Sequence, residues 1–221
     1  TPGYRRLPIR RGTWQVALGI YKVETSVEVQ LTIRLVPKQR RWLRGDLHMH
    51  TLNSDGIYTT REVIAYAKHA KLDFIALTDH WVPTPGRIIH PDRFITITGI
   101  ELDGPGYHMV VLGVDHLPER DLADSAADLA RWVKLQGGMG FFAHPYWVGQ
   151  TSAEISTCPA IAGVEVFNSV CDKMDGLGYS HVQWDEALKL GQRLLGLSVA
   201  DTPWRHAEAG RGFVMVRAAQ L

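Results

Sequence analysis

Apolar and polar residues alternate from Val27 onward, with Val27, Val29, Leu31, Ile33 and Leu35 on one face. That is the two-residue period of a half-buried β-strand. A second run, WQVALGI at 14–20, also reads as a strand. Two strands do not make a stable unit in water. Residues 1–43 therefore read as a short N-terminal β segment, the remnant of a small β domain, with Pro37 and the basic run to Arg44 as a linker.

From residue 44 to 221 the pattern changes. Short apolar runs recur at 74–78, 94–100, 109–114, 140–143, 164–167, 194–199 and 213–216. Helical segments lie between several of them. Thr59 followed by Glu62 is a capping box, opening a helix that runs to about Lys71. A second helix is predicted over 121–136, stopped by Gly137-Gly138, and a third over 181–190, closed by Gly191. Apolar strands alternating with helices indicate an α/β fold with a largely parallel sheet. So many strands in this length indicate a closed or nearly closed barrel.

Composition narrows the partners more than the fold. At 221 residues, 45% hydrophobic and 21% charged, the chain can bury a core of its own. A formal net charge of +1 supplies no basic footprint for nucleic acid. No run is apolar enough for a membrane span and no signal peptide is visible, although the sequence begins with Thr1. Cys158 and Cys171 form neither a disulfide framework nor a thiolate zinc motif. A cytoplasmic location is the expectation.

Histidines and carboxylates fall at the ends of the predicted strands. Asp46, His48 and His50 lie on or just past the first; Asp79-His80, Glu101, His144 and Asp201 end later ones. In α/β barrels the carboxyl ends of the strands converge on one mouth, so these side chains are expected to meet. His108 precedes its strand and joins them only if that strand runs the opposite way. Imidazoles and carboxylates without thiolates suit Zn²⁺, Mn²⁺ or Fe²⁺ rather than Ca²⁺. Each alone has an ordinary reading, as a surface pair, a helix cap or a turn residue. His69, His90, His116, His181 and His206 lack this context.

The series GDLHMHTLNSDG, ALTDHW, GIELDGPGYHMVVLG, FAHP and LSVAD resembles the successive motifs of the PHP (polymerase and histidinol phosphatase) superfamily of metal-dependent hydrolases. The N-terminal strands and the ending GRGFVMVRA resemble its carbaryl-hydrolase-like branch. The resemblance implies a distorted (β/α)7 barrel. It also implies a first metal on His48, His50, Glu101 and Asp201, with Glu101 bridging to a second on His108 and His144. In many relatives a third ion takes an acid and a histidine corresponding to Asp55 and His80, with a histidine at position 203. Here that position is Pro203, which cannot ligate. Two divalent ions are therefore expected, and His206 is a conceivable substitute ligand. Asp46, Glu165 and Asn168 are expected to orient ligands or bind substrate.

The chemistry so implied is hydrolysis of a small-molecule substrate by a metal-activated hydroxide. Asp55 and His80, freed from a third metal, would serve as an oriented proton donor. Phosphate esters are the expected substrates, with Lys173, Arg205 and Arg211 available as cations. Trp81, Tyr146, Trp147 and Trp204, each next to or near a candidate ligand, instead suit hydrolysis of an aromatic ester, carbamate or amide. A metal-stabilised accessory domain without turnover is the rival from another class.

Overall fold

The strands form where the apolar runs lie. A computed structural model describes residues 40–84, 88–90, 92–202 and 209–218, with isolated positions between 13 and 32. Packing divides the chain into Thr1–Pro37 and Lys38–Leu221. Every strand and helix among the described residues belongs to the second unit. In the first, residues 28–32 form no strand, and the rest of the expected strand there lies outside the described residues.

The strands are β1 (Arg41–Asp46), β2 (Phe74–Leu77), β3 (Ile88–Ile89), β4 (Ile95–Gly104), β5 (Tyr107–Leu112), β6 (Met139–Ala143), β7 (Gly163–Asn168), β8 (Leu195–Val199) and β9 (Val214–Ala218). The helices are α1 (Thr60–His69), α2 (Ala126–Leu135), α3 (Ser152–Ser156), α4 (Ser169–Asp175) and α5 (His181–Lys189). The sheet order is β8-β7-β6-β5-β4-β2-β1-β9, with β3 added to β4. Pairing is parallel except at β4–β5, β5–β6, β3–β4 and β1–β9.

Among the described residues the two sides of the sheet are bridged at the mouth. Beyond β1 and β8 the two segments run parallel, bridged at Met49 and Thr202. The Asp201 N–H donates to the His48 carbonyl at 3.0 Å, and the His50 N–H to the Thr202 carbonyl at 2.8 Å. At the other end β9 lies antiparallel on β1. Gly212, which leads into β9, would place a Cβ 1.9 Å from the Val199 carbonyl oxygen, so only glycine fits there.

Alternation sorts the strand residues. Leu43, Phe74, Ala76, Ile95, Val110, Phe141 and Val199, drawn from six strands, form one buried cluster that fills the barrel. Ile75 and Leu77 instead join Met49 and the α1 residues Val63 and Ala67 in a second cluster. The capping box at Thr59 and Glu62 forms.

Three differences from the sequence pattern have physical causes. The helix expected over 121–136 is broken at Ser125, whose extended backbone lets its hydroxyl accept from the Asp128 N–H and cap α2; the residues before it form a 3-10 turn. Arg41, Trp42 and Leu43, read as linker, belong to β1, with Leu43 buried. The short helices α3 and α4 span too few residues to show a period. Among the described residues no helix is long and apolar enough to cross a membrane.

Candidate metal centre

Backbone geometry brings the polar strand-end residues together. His48 and His50, two apart on an extended segment, point the same way, while Met49 between them packs under α1. Asp46 ties this segment to β8 by accepting from the His48 N–H at 3.2 Å and the Ala200 N–H at 3.1 Å. Pro105-Gly106, with Gly106 at φ 76°, turns β4 into β5. The hairpin returns His108 to the mouth it would otherwise miss. His144 and Asp201, directly after β6 and close after β8, have φ of 31° and 58°. Positive φ at non-glycine residues is costly and is characteristic of functional sites.

Glu101 is the hub. Its Oε2 lies 2.9 Å from His48 Nε2, 3.1 Å from His50 Nε2 and 3.3 Å from His80 Nε2. Its Oε1 lies 3.0 Å from His108 Nδ1 and 3.3 Å from His144 Nε2. Asp201 Oδ1 lies 3.1 Å from His50 Nε2 and 3.3 Å from His48 Nε2. Three overlapping groups each keep their ligand atoms within 4.8 Å of one another: His48, His50 and Asp201; His48, Glu101 and His144; His50, His80 and Glu101.

The donor chemistry fits divalent cations. Glu165 Oε1 sits 2.6 Å from His48 Nδ1, so Nδ1 carries a proton, and Nε2 is the nitrogen that would turn its lone pair to an ion once its own proton is expelled. A carboxylate behind the imidazole is the arrangement that orients metal-binding histidines. The other Glu165 oxygen accepts from the His144 N–H at 2.9 Å and the Asn168 amide at 3.0 Å. Asn168 also donates to Asp201 at 2.9 Å.

Without an ion, protons balance the charge. Burial pushes the His48 imidazole down, yet Asp201, Glu165 and Glu101 raise it well above its ordinary value. Burial likewise opposes His50, which hydrogen bonds to Asp201 and Glu101 lift to about 10. His144 is raised by Glu101 against the same burial. Burial pushes Glu101 up, but the imidazoles, His48 foremost, hold it well below the usual carboxylate range. Burial raises Asp46 to about 8, against its two backbone donors.

His50, lifted to about 10, is protonated at pH 7, whereas a metal needs its lone pair free. Ion uptake at pH 7 should therefore expel at least about one proton per chain. Binding heats measured in two buffers of different ionisation enthalpy would differ accordingly. Affinity should fall as pH falls; equal heats in both buffers would count against protonated ligands.

The remaining candidates surround this core. Asp55 Oδ1 lies 3.3 Å from His50 Nδ1, and its Oδ2 lies 3.6 Å from His80 Nε2. Two carboxylates hold these residues: Asp79, one of the strand-end residues, and Asp103, which the sequence pattern did not single out. Asp79 accepts from the Thr51 N–H, the Thr51 hydroxyl and the Ser54 hydroxyl at 2.6–2.9 Å, fixing the loop that carries Asp55. Asp103 lies 3.4 Å from His80 Nδ1 and accepts from Trp81 Nε1 at 2.9 Å.

The cluster opens into a cavity of about 220 Å³ whose wall includes Trp147, Val170, Cys171 and Met174. Trp81, expected at the mouth, does not line it: its backbone turns to φ 53° and its ring stacks on Arg120 at 3.7 Å. Arg211 is paired with Asp172 at 2.7 Å and does not line the cavity either, and neither does the exposed Lys173. Pro203, Trp204, Arg205 and His206 lie outside the described residues.

No family model matches the sequence, and no curated protein does. Solved structures do match. One, from Bifidobacterium adolescentis and assigned as a metal-dependent phosphoesterase, superposes with a TM-score of 0.55 at 14% identity, covering 77% of this chain and 92% of its own. An amidohydrolase from Chromobacterium violaceum, with bound sulfate and no metal, gives 0.50 at 17%, covering 76% and 90%. A two-domain protein from Bacteroides vulgatus containing a predicted PHP-like phosphoesterase gives 0.46 at 20%, covering 76% and 54%. The Bifidobacterium and Chromobacterium proteins share their fold with this chain, a distorted barrel. It is the fold that the resemblance to the PHP superfamily implies.

Proposed function

We propose that this chain is a metal-dependent hydrolase and, within that class, a phosphoesterase acting on a small phosphate ester. The observation that carries the reading is Glu101, with five imidazole nitrogens between 2.9 and 3.3 Å of its two oxygens at the floor of an open cavity. One oxygen faces His48 and His50, which with Asp201 would hold one ion. The other faces His108 and His144, which would hold a second. Zn²⁺, Mn²⁺ or Fe²⁺ suits these donors. Bound there, the ions would supply a nucleophile at neutral pH and a Lewis acid for the P=O or C=O under attack.

The chain's own residues supply the rest. Glu165 keeps the His48 proton on Nδ1. Asp103, at His80 Nδ1, leaves His80 Nε2 facing the cavity beside Asp55, where it would pass a proton to the departing oxygen. The assignment of the Bifidobacterium protein favours phosphate as the substrate. One observation favours a second reading, ester or carbamate hydrolysis. Among the described residues the cavity wall has no lysine or arginine.

Metal content of gently purified protein, beside turnover of p-nitrophenyl phosphate and 1-naphthyl acetate, tests both. About two ions per chain with faster phosphate turnover is the expected result. Faster ester turnover selects the second reading. No turnover of either after metal reconstitution would overturn the enzyme and leave an accessory domain.

A further inference from the structure

We infer that the wall formed by α4 and Trp147 is a subsite for a neutral, apolar leaving group, and that it rejects substrates carrying a second anion there. The inference rests on the proposed hydrolase site for the orientation of the reacting group, and concerns the opposite side of the same cavity.

The cavity has two chemically distinct faces. One is the floor of imidazoles and carboxylates. The other is built by α4, which places Val170, Cys171 and Met174 against the cavity, and by Trp147 from the loop after β6. Trp147 touches both faces. Its ring lies 5.1 Å from that of His144 and 6.1 Å from that of His108, edge to face with each. A group leaving a reacting centre over these histidines would therefore lie against the indole.

The polar atoms of this wall are already used or repel anions. Trp147 Nε1 donates to Asp175 at 2.9 Å, which fixes the ring and leaves only its carbon surface for a ligand. Asp175 itself lines the cavity, so a second anionic group would meet like charge. Among the described residues no lysine or arginine lines the cavity to answer such a group, and Arg211 is held by Asp172. Burial pushes the Cys171 thiol up, so it stays a neutral apolar contact. The volume of about 220 Å³ is small beside the several hundred Å³ of drug-sized ligand sites. It limits the leaving group to one ring or a short chain.

Binding of n-alkylphosphonates to the metal-loaded full-length chain separates this from turnover. These probes keep the anionic end constant, are not hydrolysed, and lengthen only the tail. If the tail lies on this wall, Kd from calorimetry should fall about 4-fold per added methylene between ethyl- and hexylphosphonate, the value for a fully buried CH₂. Trp147→Ala and Met174→Lys, both at exposed positions, should flatten that slope, read within each protein as the ratio of its hexyl- to its ethylphosphonate Kd. 3-Phosphonopropionate should bind at least about 10-fold more weakly than butylphosphonate. A flat slope in the wild type, a slope unchanged in both variants, no binding of any length, or tight binding of 3-phosphonopropionate would each overturn the subsite. A steep slope without turnover of phosphate or ester would leave the subsite standing and sink the hydrolase; turnover with a flat slope would do the reverse.

Discussion

Glu101→Gln should strip the protein of its metal and lower turnover on the order of 10³-fold, corresponding to several kcal/mol of lost transition-state stabilisation. The reason is geometric. Both carboxylate oxygens face imidazole nitrogens, Oε2 at His48, His50 and His80 and Oε1 at His108 and His144. A glutamine keeps the shape but removes the charge, and its NH₂ group presents donors where ligand atoms are needed. It also removes a carboxylate that raises His48, His50 and His144. The variant should therefore release fewer protons with whatever metal it still takes up. The barrel interior lies among other residues, so far-UV circular dichroism should remain native. Elemental analysis beside kcat reads the outcome. Full metal stoichiometry with undiminished turnover would remove Glu101 from the centre.

Much of this arrangement is legible in the sequence, because strand ends in an α/β barrel converge and polar residues at such ends are costly to bury elsewhere. The hairpin that brings His108 round is legible too: GPG between two apolar runs is a turn, and β5 runs antiparallel as His108 requires. Chain-distant contacts are not legible. Glu165 is expected from the sequence to orient a ligand, but nothing near it signals that the ligand is His48, 117 residues away. Trp81 and Trp147 show the same limit. Each follows a candidate ligand histidine at close range, yet Trp81 turns to Asp103 and Arg120 while Trp147 lines the cavity. The difference lies in backbone angles and in partners supplied by distant segments. The roles of Asp79 and Asp103 escape for a similar reason: they consist of holding loops and rings whose positions only the fold defines. The positive φ of His144 and Asp201 likewise has no local signature such as glycine.

The second large effect is expected at Glu165, which does not line the cavity and lies wholly buried. Glu165→Ala leaves three N–H groups without an acceptor: the His48 ring Nδ1–H, the His144 main-chain N–H and one N–H of the Asn168 amide, whose other still reaches Asp201. At about 1–3 kcal/mol for each buried unpaired donor, the loss is about 3 kcal/mol or more. For a domain of this size that lowers Tm by roughly 6–12 °C. The function suffers separately. With no acceptor at Nδ1, His48 can shift its proton to Nε2 and turn a donor toward the cluster. The His144 N–H, which Glu165 grips, also belongs to a residue held at φ 31°, and its ring should lose its fixed direction. Metal affinity should fall by about 10–100-fold, the usual cost of removing the group behind a ligand. Glu165→Gln separates the two effects, because its carbonyl oxygen can still accept from His48 while its amide cannot accept from the His144 N–H. It should keep more of the stability than Glu165→Ala and still weaken metal binding. Thermal unfolding with and without added metal distinguishes them: in wild type, metal should raise Tm, and in both variants that increment should shrink. An increment as large in Glu165→Ala as in the wild type would mean that His48 does not depend on the carboxylate behind it.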